Sequence, residues 1–372
     1  SRQDRVRTTN APSTVSPERS EEQRDDYAFF GELHLPLFSR EHSRPLLRRL
    51  DLQLAGRFQD TENSGSSFNP KYGLVWSPIE ALMFRGTFGT GYRAPALSEL
   101  ERPESERSQS VTDPTRTGPG ATYPVNVVMG SFPNLKPETS RTYGYGVVVQ
   151  VPWIEGLSFS FDGYRKDQKN LTASILVQTM VDYEELFPGR IIRGEPTADD
   201  IAAGRPGAIV EVDGRFSNFG QVVTDGWDGT VSYNLKTRDL GRFTFRVTGT
   251  FLGSYKVAFN PGDPLVERGG TFGFPQKLKG NASVLWDRGR WGGALFVYYQ
   301  GEAERSATDR LSTFTTVDTN FSFQWNDNLR FQGGIGNLFD EEPPFANTIW
   351  GYDGGFHSAK MRTYHATAIY RF

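Results

Sequence analysis

Apolar and polar side chains alternate along this sequence with a period of two, and several stretches hold the pattern for about ten residues. This periodicity constrains the fold more than any other feature, because it marks an extended strand whose two faces meet different surroundings. Leu157, Phe159, Phe161 and Gly163 stand opposite Ser158, Ser160 and Asp162. Trp227, Gly229, Val231, Tyr233 and Leu235 stand opposite Asp228, Thr230, Ser232 and Asn234. Further strands are expected near residues 29–35, 50–58, 72–76, 82–88, 143–149, 243–251, 278–286, 291–299, 317–325, 329–335 and 364–372, about thirteen in all. The connections alternate too. Tight turns are expected near 77–78, 152–156, 236–241, 287–290 and 326–328. Longer polar loops are expected at 59–67, from 92 to about 135, at 175–215, around 260–273 and after 337. Residues 1–26 show no periodicity, carry Pro12 and Pro17, and read as loop or disorder.

Alternating strands joined by alternately short and long connections are the layout of a transmembrane β-barrel. Strands in soluble sandwiches average five or six residues, whereas ten suffice to cross a bilayer at a tilt. No run of about 18 apolar residues exists, so a helical span is not expected. The polar parity carries Asp51, Arg57, Arg85, Asp162, Asp228, Asn281, Asp318 and Asn320. These fit a wet lumen with the apolar parity facing lipid. A sandwich with the apolar parity inside has the same pattern, and parity alone leaves both open. Trp76, Trp153, Trp286, Trp291 and Trp325 lie beside short turns, as an interfacial aromatic girdle would place them. With 41 basic against 44 acidic residues there is no basic excess for a nucleic-acid partner. Cysteine is absent, which removes disulfides and thiol chemistry. The acid pairs Glu184-Glu185, Asp199-Asp200 and Glu341-Glu342 read as solvated loop charge. No catalytic motif, metal site or cofactor is expected.

The descent expected for the last strand makes the first of thirteen descend as well. Closing that set would need a parallel seam, and leaving it open would strand unpaired backbone groups in lipid. Further strands are therefore expected before residue 27, with residues 1–26 the tail of an extracellular loop and 27–372 the C-terminal part of the barrel.

Four segments then carry a family resemblance: GTGYRAPALSEL from Gly89, FPNLKPETSRTYGYGV from Phe132, GNLFDEEPPF from Gly336, and the terminal aromatic Phe372. SFNPKYGLVWSP from Ser67 and LSFSFDGYRKDQKN from Leu157 fit as well. Together, over about residues 27–372, they resemble the C-terminal barrel half of TonB-dependent outer-membrane receptors. The resemblance implies an all-β, plugged barrel of 22 strands in the outer membrane of a Gram-negative bacterium. It implies energised uptake of a scarce nutrient, an iron–siderophore complex above others, driven through the TonB complex. The plug and the TonB box are not expected within this chain. A passive porin-like channel and an outer-membrane barrel enzyme are the alternatives.

The loops 92–135, 176–215, 302–312 and 338–361 are the candidate ligand loops, with Tyr92, Arg93, Tyr123, Arg305, Trp350 and Tyr352 as candidate contacts. Arg93 has a second reading, in which it bonds loop carbonyls or carboxylates instead of ligand. Haem-uptake members place a His between the Arg-Ala-Pro and Asn-Leu motifs. Residues 92–136 contain none, which counts against haem. The only His expected in an extracellular loop is His357. Tyr370 and Phe372 resemble the terminal signal that the barrel-assembly machinery reads. The implied partners are thus the TonB complex, that machinery, an extracellular ligand such as a siderophore, and the lipid bilayer.

Overall fold

The computed structural model describes residues 2–7, 18–131, 135–218, 220–259, 262–271, 273–306, 309–346, 348 and 351–372, and the side chains of these apart from 2–7, 18–22, 40, 119, 173, 305 and 306. All thirteen expected strands form. They are β1 (Asp26–Phe38), β2 (Arg49–Thr61), β3 (Gly65–Ile79), β4 (Leu82–Arg93), β5 (Glu138–Gln150), β6 (Leu157–Lys169) and β7 (Gln221–Lys236). They continue with β8 (Arg242–Ala258), β9 (Leu278–Arg288), β10 (Trp291–Gln300), β11 (Phe314–Gln324), β12 (Leu329–Gly336) and β13 (Thr363–Tyr370). Each pairs with the next in sequence, and every pair is antiparallel. β1 and β13 are the two edges of this sheet.

The exposed face of the sheet decides between the two readings that parity left open. Phe161, Val247 and Phe321 are 50%, 54% and 48% exposed. Among the described residues no second sheet covers them, and the apolar parity looks outward, as in a lipid-facing wall. Tryptophans near the short turns anchor this wall. Trp76 Nε1 donates to Leu46 O at 2.9 Å and Trp286 Nε1 donates to Leu240 O at 2.7 Å. Trp291 packs on Phe321 and Phe323. An apolar ring with a satisfied polar handle suits a membrane–water boundary.

The inner parity is hydrogen-bonded and charged. Arg85 of β4 makes a bidentate pair with Asp162 of β6, at 2.7 Å from Nε and 2.6 Å from Nη2. Between them lies Gly146 of β5, paired with Arg85 on one side and Asp162 on the other. A Cβ on Gly146 would stand 1.9 Å from Asp162 Oδ1. The missing side chain thus lets an ion pair cross a whole strand.

Three local expectations are corrected. The loop expected at 59–67 is a three-residue turn, because β2 runs to Thr61 and β3 starts at Gly65. Ser64 N donates to Thr61 O at 3.0 Å, with Asn63 at φ 61° and Gly65 at φ 79°. Both faces turn polar there, which ends the hydropathy alternation while the backbone ladder continues. The turn expected at Ser77-Pro78 falls instead at Glu80–Ala81. Pro78 sits in an irregular stretch of pairing between Trp76 and Ile79, where its missing N–H is tolerated. Within the segment expected to be loop or disorder, Arg2–Arg7 and Glu18–Gln23 pair as antiparallel strands.

Candidate functional site

The loops after β4 and β6 fold together. Their strands Ile191–Arg193, Ile209–Asp213, Thr122–Met129 and Ser105–Thr112 form a second sheet in that order. The pairing of Ile209–Asp213 with Thr122–Met129 is parallel and joins one loop to the other. A short helix, Val177–Asp182, packs against Ser105–Thr112. Val111, Val125, Val127, Met180, Val181 and Val212 are almost fully buried between these pieces. The cluster extends to Val222 of β7 and Val257 of β8, both on the inner parity near the loop end of the main sheet. Phe187 meets Phe259, the first residue after β8, edge-to-face at 4.9 Å. The largest buried apolar cluster among the described residues thus lies in the loops.

A charged lock sits inside this cap. Asp113 has no exposed surface. It accepts from Tyr123 OH at 2.7 Å, Thr115 Oγ1 at 2.8 Å, Thr115 N at 3.0 Å and Arg193 Nη1 at 2.9 Å. Arg193 also pairs with Glu184 at 2.7 Å and donates to Gly207 O. Burial disfavours the Asp113 carboxylate, but the donors from Arg193, Tyr123 and Thr115 outweigh it and hold the carboxyl well below the usual range. A second lock joins Arg116 of the first loop and Arg205 of the second to Asp200, at 3.0 and 2.6 Å.

The six candidate contacts fall in different places. Tyr123 is inside the first lock, and its hydroxyl also accepts from Ile209 N at 2.9 Å. Arg93 ends β4 and takes the second of its two readings. It pairs with Glu99 at 2.9 Å and with Glu138, and Glu138 in turn accepts from Thr172 N. Tyr92 OH donates to Ser64 O at 2.9 Å, tying β4 to the β2–β3 turn. Tyr352 lies in the loop after β12 and bridges to Phe345, which is 76% exposed. Arg305 lies in a short loop strand, Ala303–Ser306; its side chain, like Trp350 and motif residues 132–134, lies outside the described residues. Among the described residues, no hydrogen bond, ion pair or ring contact joins Tyr92, Arg93 or Tyr123 to Tyr352.

Exposed Phe339 and Phe345 were not singled out from the sequence. Their signal is two Phe flanking the acidic and Pro-rich run in NLFDEEPPF, and Asn337 and Asp340 shape that turn at φ 51° and 59°. His357 is buried against Phe314 and Phe356, and neither ring nitrogen has a hydrogen-bond partner. Burial lowers its pKa, Asp353 opposes this, and Lys279 adds to it.

Residues 2–338 match the family described as TonB dependent receptor-like, beta-barrel. The vitamin B12 transporter BtuB of Vibrio vulnificus is 21% identical over 318 residues, which are 85% of this chain and 39% of that protein. An iron-regulated outer membrane virulence protein of Vibrio cholerae is 23% identical over 316 residues, 83% of this chain and 41% of its own. Among solved structures, a variant of the ferric enterobactin receptor PfeA of Pseudomonas aeruginosa superposes with a TM-score of 0.62 at 16% identity, covering 95% of this chain and 46% of that one. The siderophore receptor PirA of Acinetobacter baumannii gives 0.61 at 16% identity, over 94% and 46%. The chain therefore spans about two-fifths of these curated relatives and under half of these solved receptors.

Proposed function

Because the chain belongs to the TonB-dependent receptor β-barrel family, we propose that the protein carrying it takes up a scarce nutrient, first of all an iron–siderophore complex, across the outer membrane of a Gram-negative bacterium. Energy reaches it from the TonB complex through parts outside this chain. On this reading residues 27–372 are the C-terminal strands of a 22-stranded barrel around a plug, and 1–26 end an extracellular loop. The edges β1 and β13 support this, since an edge in lipid leaves backbone groups unsatisfied at several kcal/mol each.

The observation that carries the proposal is the folded cap above a polar inner face. Here two loops share a sheet and a hydrophobic core that reaches the inner parity of β7 and β8. Such a cap offers a large, preorganised surface for one bulky ligand. Tyr352 and the exposed Phe345 and Phe339 are the proposed direct contacts, together with Arg305 and Trp350. Tyr92, Arg93 and Tyr123 act on ligand through the loops they hold.

Vitamin B12 is the second cargo to test, because it names one of the relatives. A strain lacking the gene, starved of iron and fed single ferric siderophores, is expected to lose growth on at least one of them. The gene should restore that growth only when TonB is functional. Loss of vitamin B12-dependent growth alone would move the cargo to corrinoids. Restoration without TonB would sink active transport.

A further inference from the structure

We propose that the outer wall of β5 and β6 holds a binding site for the phosphate groups of an anionic lipid, formed by Arg141, Arg165 and Lys169. The site rests on the membrane reading above.

The strand register builds it. On the outward parity, Tyr145, Gly163 and Trp227 form one row across β5, β6 and β7. Tyr145 and Trp227 meet edge-on over the glycine at 5.5 Å, in an aromatic band. The next row toward the loops is Tyr143, Arg165 and Asp225, and the row after it is Arg141, Asp167 and Val223. Lys169 follows one row further along β6. Arg141 is thus directly opposite Asp167, with Arg165 and Lys169 as its two diagonal neighbours. Diagonal neighbours lie about 7–8 Å apart at Cα, within reach of one shared group for side chains this long.

Their height is that of a headgroup. From Leu235 at the short-turn end of β7 to Asp225, the partner of Arg165, is ten residue steps. At about 3.3 Å per step and a tilt near 40°, this rises about 25 Å, the height of the apolar band of such barrels. The cations begin where that band ends.

They are also available. Arg141, Arg165 and Lys169 are exposed, and among the described residues none forms an ion pair. The nearby acids are partly engaged. Asp167 accepts from Gln221 Nε2 at 2.7 Å, and Asp225 accepts from Ser254 Oγ. Lys256, exposed on β8, ends the row of Arg141, with Val223 on one side and Glu267 on the other. The patch is local, since the loop-side ends of β9–β13 present Leu278, Tyr299, Thr315, Ile335 and Tyr364 on this face, without charge. Unpaired cations directly above an aromatic band complement lipid phosphate, and a guanidinium offers phosphate two parallel donors.

The test uses the complete protein that carries this chain, in micelles doped with a bis-phosphorylated glycolipid or with the same lipid after removal of its phosphates. Lipid retained through gel filtration is read by native mass spectrometry. The phosphorylated lipid is expected to be retained selectively. The triple variant Arg141→Gln, Arg165→Gln, Lys169→Gln should lose retention about tenfold or more, while Arg57→Gln, on the inner face, should not. Arg165→Gln alone should show a smaller loss of the same kind, and covers a triple variant that fails to fold. Equal retention of both lipids, or a folded triple variant that retains as much as the parent, overturns the lipid site and leaves the membrane reading intact. Retention of neither lipid by protein that does enter micelles overturns the lipid site alone, whereas failure to enter micelles at all overturns both.

Discussion

At the scale of single residues, the inner wall turns on side chains that are absent as much as on those present. Gly146 has no Cβ, and only so can Arg85 reach Asp162 across β5. Replacing it with alanine forces the carboxylate aside. Because the pair is partly exposed to water, the expected loss is about 1 kcal/mol, not the several of a buried pair. A lower urea midpoint for Gly146→Ala in micelles should show it, with Gly86→Ala, where a Cβ meets nothing within 4 Å, as the neutral comparison. Adding Arg85→Gln to Gly146→Ala should cost little more, since both remove one interaction. Nothing in the sequence reveals this crossing. Arg85 and Asp162 are 77 residues apart, and their parity says only that both face inward. Arg93 differs, because its two readings were legible and the carboxylates of Glu99 and Glu138 select between them.

At the scale of elements, strands were legible and folded loops were not. A strand wall between lipid and water imposes two unlike faces, and that contrast writes itself into hydropathy. The cap has no such contrast. Its core is assembled from short pieces of two loops, each of which looks polar alone. Signals were present in retrospect. Val125 and Val127 alternate within Thr122–Met129, and Thr197 and Asp200 form a capping box that starts the helix Ala198–Ala202. The loops should also respond differently to acid. Folding depresses the Asp113 carboxyl pKa, so its contribution is complete above about pH 4 and fades only as pH falls through a value well below that. Burial depresses His357 as well. For a base this means that the folded loop prefers the neutral ring, so its stability is full above about pH 6.5 and declines as pH falls below it. Hydrogen exchange between pH 7 and 4.5 should therefore loosen residues 337–362 while 105–129 and 191–213 stay protected. His357→Phe should abolish the loosening. Simultaneous loosening of both regions would contradict the assignment.

At the scale of the whole molecule, the sheet has a beginning and an end, and its last strand carries Tyr370 against Phe372 at a ring distance of 5.1 Å. Phe372 is fully exposed. If it serves recognition by the assembly machinery, Phe372→Ser should reduce the amount of folded protein in the outer membrane severalfold, with little change in the thermal stability of the fraction that folds. Heat-modifiable mobility on gels separates the two quantities. The parallel pairing between the two loops carries a different kind of consequence. Strand Thr122–Met129 and strand Ile209–Asp213 come from separate hairpins, yet each is half of one surface. Exchanging a single loop with that of another receptor would leave a strand pair with one edge unmatched and a half-built core. New ligand preference is therefore expected to transfer only when both loops are grafted together, and natural drift in one should be answered by drift in the other.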